Sequence, residues 1–323
     1  MPTPEMSVVV VAGNQRARVA GCVESVLAQD GVERLEILIV DCGHGGSAEP
    51  WAGLPGVRSI RPAPGSHYGE ALAAGVFAAQ SPLIAFLEEH ARAHPGWALA
   101  LLEAHREPMA AVACEVHNGN PGLGWSDGWG LMGYGKWYAP LPPGETEFLH
   151  GYNSTCKRDV LLAYGDRLAG LLLADTVFAL RLARDGHRLV NAPAARIDHL
   201  NERELWQPLV KNFLAQRFST SMRAEECDWS AWRRWAYVFG SPLLPVYGLW
   251  HQGRALWQRR PALLWTLMRI LPQYFLTGWA TAAGISIGLA FGPGRSAQHF
   301  TRLELDTDRP EVPHPSAGRF TSL

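Results

Sequence analysis

The sequence predicts an α/β fold: a mostly parallel mixed sheet with flanking helices, followed by an amphipathic helical region. Leu35–Gly43 (LEILIVDCG) and Leu83–His90 (LIAFLEEH) are short apolar runs that end abruptly in carboxylates. Runs of this kind suit strands buried on both faces of a parallel sheet. An acid at the carboxyl end of such a strand points into the crevice where α/β proteins bind ligands. Segments of helical period precede both runs, so strand and helix alternate as a doubly wound sheet requires.

Ser7–Ala12 (SVVVVA) reads as the first buried strand, bounded by Gly13-Asn14. Gln15–Gln29 follows as a helix, because Val19, Cys22, Val23, Val26 and Leu27 share one face. Leu35–Val40 is the second strand and Val57–Ile60 a short third. Glu70–Gln80 is mostly good helix formers, and Leu83–Leu87 is the fourth strand. Pro95-Gly96-Trp97 opens a helix to about His105, with Pro95 near the position where a missing N–H is harmless. Ala110–Val116 is a further strand. Asn118–Pro143 is aperiodic and rich in Gly, Trp and Tyr, which suits an acceptor-binding loop or lid. Phe148–Cys156 is expected to cross toward the site as a strand. Asp175–Asp185 reads as a helix, and Arg188–Val190 and Ala195–Leu200 as two short strands.

Composition narrows the class. With 29 Lys and Arg against 30 Asp and Glu, the net charge of −1 gives no general attraction to nucleic acid. The five cysteines are scattered and lack CxxC spacing, which argues against a disulfide framework or a cysteine zinc site and fits a reducing compartment. The N-terminus lacks the pattern of a signal peptide. From Arg203 to Arg269 there are ten Lys or Arg against four Asp or Glu, and eight of the 13 Trp lie between Trp206 and Trp279. Basic, Trp-rich flanks beside the charge-free run Ile270–Gly292 suit contact with a membrane interface across residues 203–292. Interruption of that run by Pro272, Gln273 and four glycines makes it weakly hydrophobic for a spanning helix. The expected organisation is a catalytic domain at 1–200, a helical region at 201–292 and a flexible tail at 293–323.

In order, these features resemble the GT-A fold of glycosyltransferase family 2. Ser7–Asn14 is similar to the family's opening strand, Val19–Gln29 (VAGCVESVLAQ) to its first helix, and Ile39–Gly46 (IVDCGHGG) to its second strand end. Phe86–Leu99 (FLEEHARAHPGWAL) matches the DxD segment, Gly151–Leu161 (GYNSTCKRDVL) the following motif, and Ala174–Leu189 (ADTVFALRLARDGHRL) the segment that opens with the family's Glu-Asp pair. Pro193–His199 matches a strand that ends in His.

The resemblance implies an inverting transferase that uses a nucleotide-sugar as co-substrate, with a divalent metal, Mn or Mg, as cofactor. The acceptor would be a glycan or lipid-linked sugar at the cytoplasmic face of the cell membrane, as in polysaccharide biosynthesis. Such transfer breaks an anomeric C–O bond and builds charge on a diphosphate, which a hard cation held by oxygen ligands stabilises. The acceptor hydroxyl needs a base on the opposite side. Carried over by position, Asp41 meets the nucleobase beside Ala12 and Asn14. Glu88, Glu89 and His90 replace DxD, with Glu88, His90 and His199 as metal ligands. Asp175 is the base, with Arg181 at the family's spacing after it, and His150, Asn153 and Lys157 lie near donor or acceptor. The sequence departs from the family at Val11-Ala12-Gly13, at Cys42 for the second Asp, at EEH for DxD, and at Ala174 for Glu. These departures leave open a catalytically weak, nucleotide-sugar-binding relative that acts as a scaffold. A dehydrogenase is disfavoured because Gly13-Asn14-Gln15-Arg16 supplies no G-x-G-x-x-G.

Overall fold

The computed structural model describes residues 3–43, 46 and 48–305, organised around a mixed sheet of nine strands. Strands β1 (Met6–Ala12), β2 (Leu35–Asp41), β3 (Val57–Ile60) and β4 (Leu83–Phe86) are parallel, in the order β3-β2-β1-β4. Every residue of β1 and β2 is buried, which explains their unbroken apolar runs. The buried Glu36 of β2 is fully engaged: Ser7 Oγ donates to it at 2.6 Å, Gln80 N donates at 2.9 Å, and Arg58 pairs with it.

Helices α1 (Arg16–Leu27) and α2 (Tyr68–Ala78) connect these strands. The chain leaves β1 toward β2 on one side and returns to β4 on the other, so the carboxyl ends of β1 and β4 flank a topological switch point.

The second half of the sheet is not parallel throughout. Strand β8 (Ser154–Lys157) runs antiparallel to both β4 and β6 (Ala111–Asn118) and lies between them. Strand β9 (Leu189–His199) pairs parallel with β6 and antiparallel with β5 (Ala91–Ala93) and β7 (Gly144–Glu145). One continuous β9 replaces the two short strands expected. Its register against β6 jumps from Cys114↔Ala192 to Glu115↔Arg196, so Pro193, which has no N–H to give the ladder, sits in the irregularity. The three-residue β5 is too short to carry a sequence signal.

Helix α3 (Trp97–Ala104) starts after Gly96, whose φ of +83° is open to glycine, so Pro95 precedes the helix rather than opening it. Asn118–Pro143 contains helix α4 (Ser126–Tyr134), not a free loop. Glycines at 128 and 130 hide its helical signal. They are needed there because a Cβ at Gly128 would strike the Gln273 side chain, and one at Gly130 the Tyr138 hydroxyl. Of Phe148–Cys156, only the last three residues are extended in β8.

Helices α5 (Arg158–Leu162), α6 (Leu168–Leu173) and α7 (Asp175–Arg184) follow. Beyond the sheet lie α8 (Trp206–Glu226), α9 (Ala231–Gly240), α10 (Leu244–Arg259), α11 (Leu263–Arg269) and α12 (Leu271–Phe291). Helices α8 and α12 touch backbone to backbone: a Cβ at Gly284 or Gly288 would collide with the carbonyl of Phe213 or Arg217. Among the described residues, α12 is the helix long and apolar enough to cross a membrane by length and composition, with a mean hydropathy of 1.3.

The expected flexible tail is corrected over its first part. Ser296–Leu305 forms helix α13, with Ser296, Thr301, Glu304 and Leu305 buried, because it docks on α8 and α2. Residues 306–323 of that expectation lie outside the described residues.

Candidate functional site

The switch-point crevice gathers a compact polar cluster. Glu88 and His90 follow the carboxyl end of β4, and His199 ends β9. Pairing of Ala91 with His199, and the hydrogen bond from Leu200 N to His90 O at 3.1 Å, bring the two histidines together although 109 residues separate them. Their Nε2 atoms are 2.9 Å apart. Glu88 Oε2 is 3.2 Å from His199 Nε2 and 3.9 Å from His90 Nε2. All three residues are buried.

Supporting contacts set the roles of these groups. Asn201 Nδ2 donates to Asn118 Oδ1 at 3.0 Å, which leaves Asn201 Oδ1 to accept from His199 Nδ1 at 2.9 Å. That contact fixes the His199 ring with Nε2 facing Glu88 and His90. Glu88 Oε2 accepts from the Tyr134 hydroxyl and from Asn153 Nδ2. Asn153 Oδ1 in turn accepts from Glu88 N at 3.2 Å. Burial opposes ionisation of Glu88, but the imidazoles of His90 and His199 hold it well below the usual carboxylate range. Burial pushes His90 down, toward the neutral ligand form.

This donor set fits a single cation. The donor atoms stand 2.9, 3.2 and 3.9 Å from one another, a spread that brackets the edges of about 3.4 Å expected around a tetrahedral ion with bonds of about 2.1 Å. The Nδ1 partner of His199 is the outer support that metal-bound imidazoles need. Two nitrogens and one carboxylate suit Mn, Fe or Zn better than Mg. A cavity of about 520 Å³ opens onto the cluster. It is lined by Glu88, His90, His199 and Lys211, and also by the apolar Leu244 and Pro245.

The remaining expected site residues separate into groups. Asp41 is buried at the end of β2, where Oδ1 accepts from Gly43 N at 3.0 Å and Oδ2 lies 3.5 Å from Arg61. Ala12 ends β1 and its carbonyl accepts from Cys42 N at 2.9 Å, so Ala12, Asn14 and Asp41 share one strand-end ledge. Glu89 does not line the cavity. Its Oε2 accepts from Gly13 N at 2.7 Å and ties the ends of β4 and β1 together. Asp175 begins α7 directly behind Gly151, whose Cβ, if present, would lie 2.6 Å from that of Asp175. His150 and Tyr152, on either side of Gly151, line the cavity. Burial raises the Asp175 carboxyl, opposed by the nearby His150 and by the Thr176 and Gly151 amides.

Lys157 is a correction. Because β8 runs antiparallel to β4, Lys157 pairs with Leu83 at the amino end of β4, away from the strand end that carries Glu88. It has no place in donor binding.

Four site residues escape sequence reasoning. Tyr134 lies in the glycine-masked α4 and its ring stacks on His150 at 4.2 Å. Asn201 had a usable signal, an amide two residues after a candidate ligand histidine. Lys211 and Glu304 form an ion pair across α8 and α13, and Glu304 Oε1 lies 3.9 Å from His90 Nδ1. No local pattern announces that contact.

Residues 7–165 match the model of the glycosyl transferase family 2 family. Among solved structures, the mannosyltransferase PcManGT from Pyrobaculum calidifontis, in complex with GDP-Man and Mn2+, is similar with a TM-score of 0.56 at 15% identity, over 86% of this chain and 87% of that one. GalNAc-T7 with UDP, GalNAc and Mn2+ is similar with a TM-score of 0.51 at 15% identity, over 61% of this chain but only 43% of that one. At this identity the likeness speaks for the fold, which is that of GT-A glycosyltransferases. A search of curated protein sequences finds no match.

Proposed function

Because the chain belongs to glycosyltransferase family 2 and is a glycosyltransferase, we propose that it moves a sugar, with inversion, from a nucleotide-sugar to a glycan or lipid-linked acceptor at the cytoplasmic face of a membrane. The convergence of Glu88, His90 and His199 at the strand-end crevice carries this reading. Glu88 Oε2 and the two Nε2 atoms would hold a divalent ion, with Mn favoured over Mg by the imidazoles. When bound, that ion supplies charge stabilisation to a diphosphate leaving group. The two solved neighbours above hold Mn2+ with a nucleotide or nucleotide-sugar, which supports the same pairing here.

This chain's residues have distinct tasks. Asp41 and the backbone at Ala12 and Asn14 take the nucleobase end of the donor. Tyr134 and Asn153 keep Glu88 ionised and aimed. Asp175 serves as the base that accepts the acceptor's hydroxyl proton. Its raised carboxyl brings it nearer the pH at which a base transfers protons efficiently. Asp175 does not itself line the cavity but packs against Gly151, which two lining residues, His150 and Tyr152, flank.

The helical layer supplies the membrane contact. Trp232, Phe239, Trp250, Trp257 and Trp265 are each more than half exposed, and Arg233, Arg234, Arg254 and Arg259 are interleaved with them. Amphipathic helices of this composition bind in the headgroup region of anionic bilayers. Helices α10 and α12 of this layer contribute to the cavity lining, Leu244 and Pro245 among it, which suits an acceptor with a lipid portion.

Calorimetric titration with UDP, GDP and their sugars, with and without Mn2+, tests the reading. Metal-dependent binding of one nucleotide and release of that diphosphate in the presence of membrane lipid extract is the expected result. Absence of binding by every nucleotide would sink it.

A further inference from the structure

We infer that helix α13 is a built-in plug that occupies the donor crevice and must withdraw before a nucleotide-sugar can bind. This rests on the donor reading above and adds to it a regulatory element.

Three observations place the plug. First, the carboxyl end of α13 sits on the strand-end ledge: Leu305 O accepts from Asn14 N at 2.9 Å. Contact there is close enough that a Cβ on Gly13 would collide with the Leu305 carbonyl. Asn14 lies just before the amino end of α1, whose positive dipole end favours a negative group. The Leu305 carbonyl already meets it. Second, the Glu304 carboxylate, itself buried, pairs with Lys211 and lies 3.9 Å from His90 Nδ1. Arg18, in the first turn of α1, has a buried Nη1 with no hydrogen-bond partner among the described residues. An internal carboxylate thus stands on Lys211, a cation suited to a diphosphate. Third, α13 is clamped along its length. Thr301 Oγ1 accepts from Tyr68 N at 2.9 Å, and the Phe300 ring packs edge-on against Phe218 at 5.6 Å.

The occupant is therefore matched to the site in charge, yet it offers one carboxylate and the Leu305 carbonyl where a diphosphate offers more negative charge. A donor with its ion competes by mass action, and withdrawal of α13 couples donor binding to movement of this segment. The apparent affinity of the full chain is reduced by the fraction of molecules in which α13 is docked.

The test uses the full chain and the double variant Phe300→Ala/Glu304→Ala, which removes the ring clamp and the carboxylate. Hydrogen exchange is followed with and without UDP or GDP and Mn2+. On nucleotide addition, amides at the ends of β1 and β2 should slow while those of residues 297–305 speed up. The double variant should bind at least about tenfold more tightly, which corresponds to about 1.4 kcal/mol. Protection at the strand ends with unchanged exchange in α13, or equal or weaker binding by the variant, overturns the plug and leaves the donor reading intact. No nucleotide bound by either protein overturns both together.

Discussion

Tyr134→Phe removes one hydroxyl from the centre of the site and little else. The ring remains stacked on His150 at 4.2 Å and packed against His199 at 4.1 Å, so the cavity wall should keep its shape. What disappears is a donor to the buried carboxylate of Glu88. A hydrogen bond to a charged group contributes about 1.5–3 kcal/mol. Asn153 Nδ2 still donates to the same oxygen at 2.5 Å, so the lower end of that range applies. About 1.5 kcal/mol is roughly one decade in affinity, and changes to outer-shell partners commonly weaken metal binding by about 10- to 100-fold. The expected outcome is Mn2+ affinity lowered about tenfold by calorimetry, with circular dichroism unchanged. If Tyr134→Phe binds Mn2+ within about twofold of the parent chain while Asn153→Leu does not, Tyr134 contributes nothing to the carboxylate, and the assignment of its role is wrong.

Asp175→Asn should lower turnover by about a hundredfold or more and leave nucleotide affinity within about twofold; near-normal turnover would remove Asp175 as the base. Because burial raises this carboxyl, activity should fall on the acid side at a pH above the ordinary carboxylate range, and Asp175→Asn should lack that limb. His105 is buried against Thr155, and burial with the nearby Lys157 pushes it down to about 4. Its folded value is below the unfolded one, so its contribution to stability is present above about pH 6.5 and is lost as pH falls through 4. The full effect is about 3 kcal/mol, so denaturant unfolding of His105→Gln at pH 7 and pH 4.5 should show a shallower pH dependence than the parent. Replacing Trp232 and Phe239 by Ser should weaken co-sedimentation with anionic vesicles by about tenfold, with the melting temperature unchanged because neither side chain is buried; equal sedimentation would remove α9 from the membrane contact.

The strands of the first half were legible because burial on both faces leaves an unbroken apolar run, as in β1 and β2. The acids that end them were legible for the same reason, since a charge can appear only where the strand leaves the core. His199 and His90 could each be named, but their meeting depends on β5, three residues long, pairing with the end of β9. Helix α4 was invisible because its glycines serve tertiary contacts with Gln273 and Tyr138 rather than helix propensity. Lys157 was misplaced because sequence spacing does not reveal strand direction, and an antiparallel β8 carries its end away from the crevice. Glu304 had no local signal, since its place is fixed by docking across more than 90 residues onto Lys211.

The glycine contact between α8 and α12 has a geometric consequence. Where two backbones touch at Gly284 and Gly288, neither helix can roll about its axis without a carbonyl striking the other. The outward stripe of α12 is thereby indexed to α8, and through Lys211 and Asn212 on α8 to the cavity they line. Whatever plane the tryptophan face rests upon, the height of Glu88, His90 and His199 above it is set by the protein like the jaw of a caliper. In the proposed membrane-bound state, an acceptor whose reactive hydroxyl stands at a different height from that plane would miss the cluster.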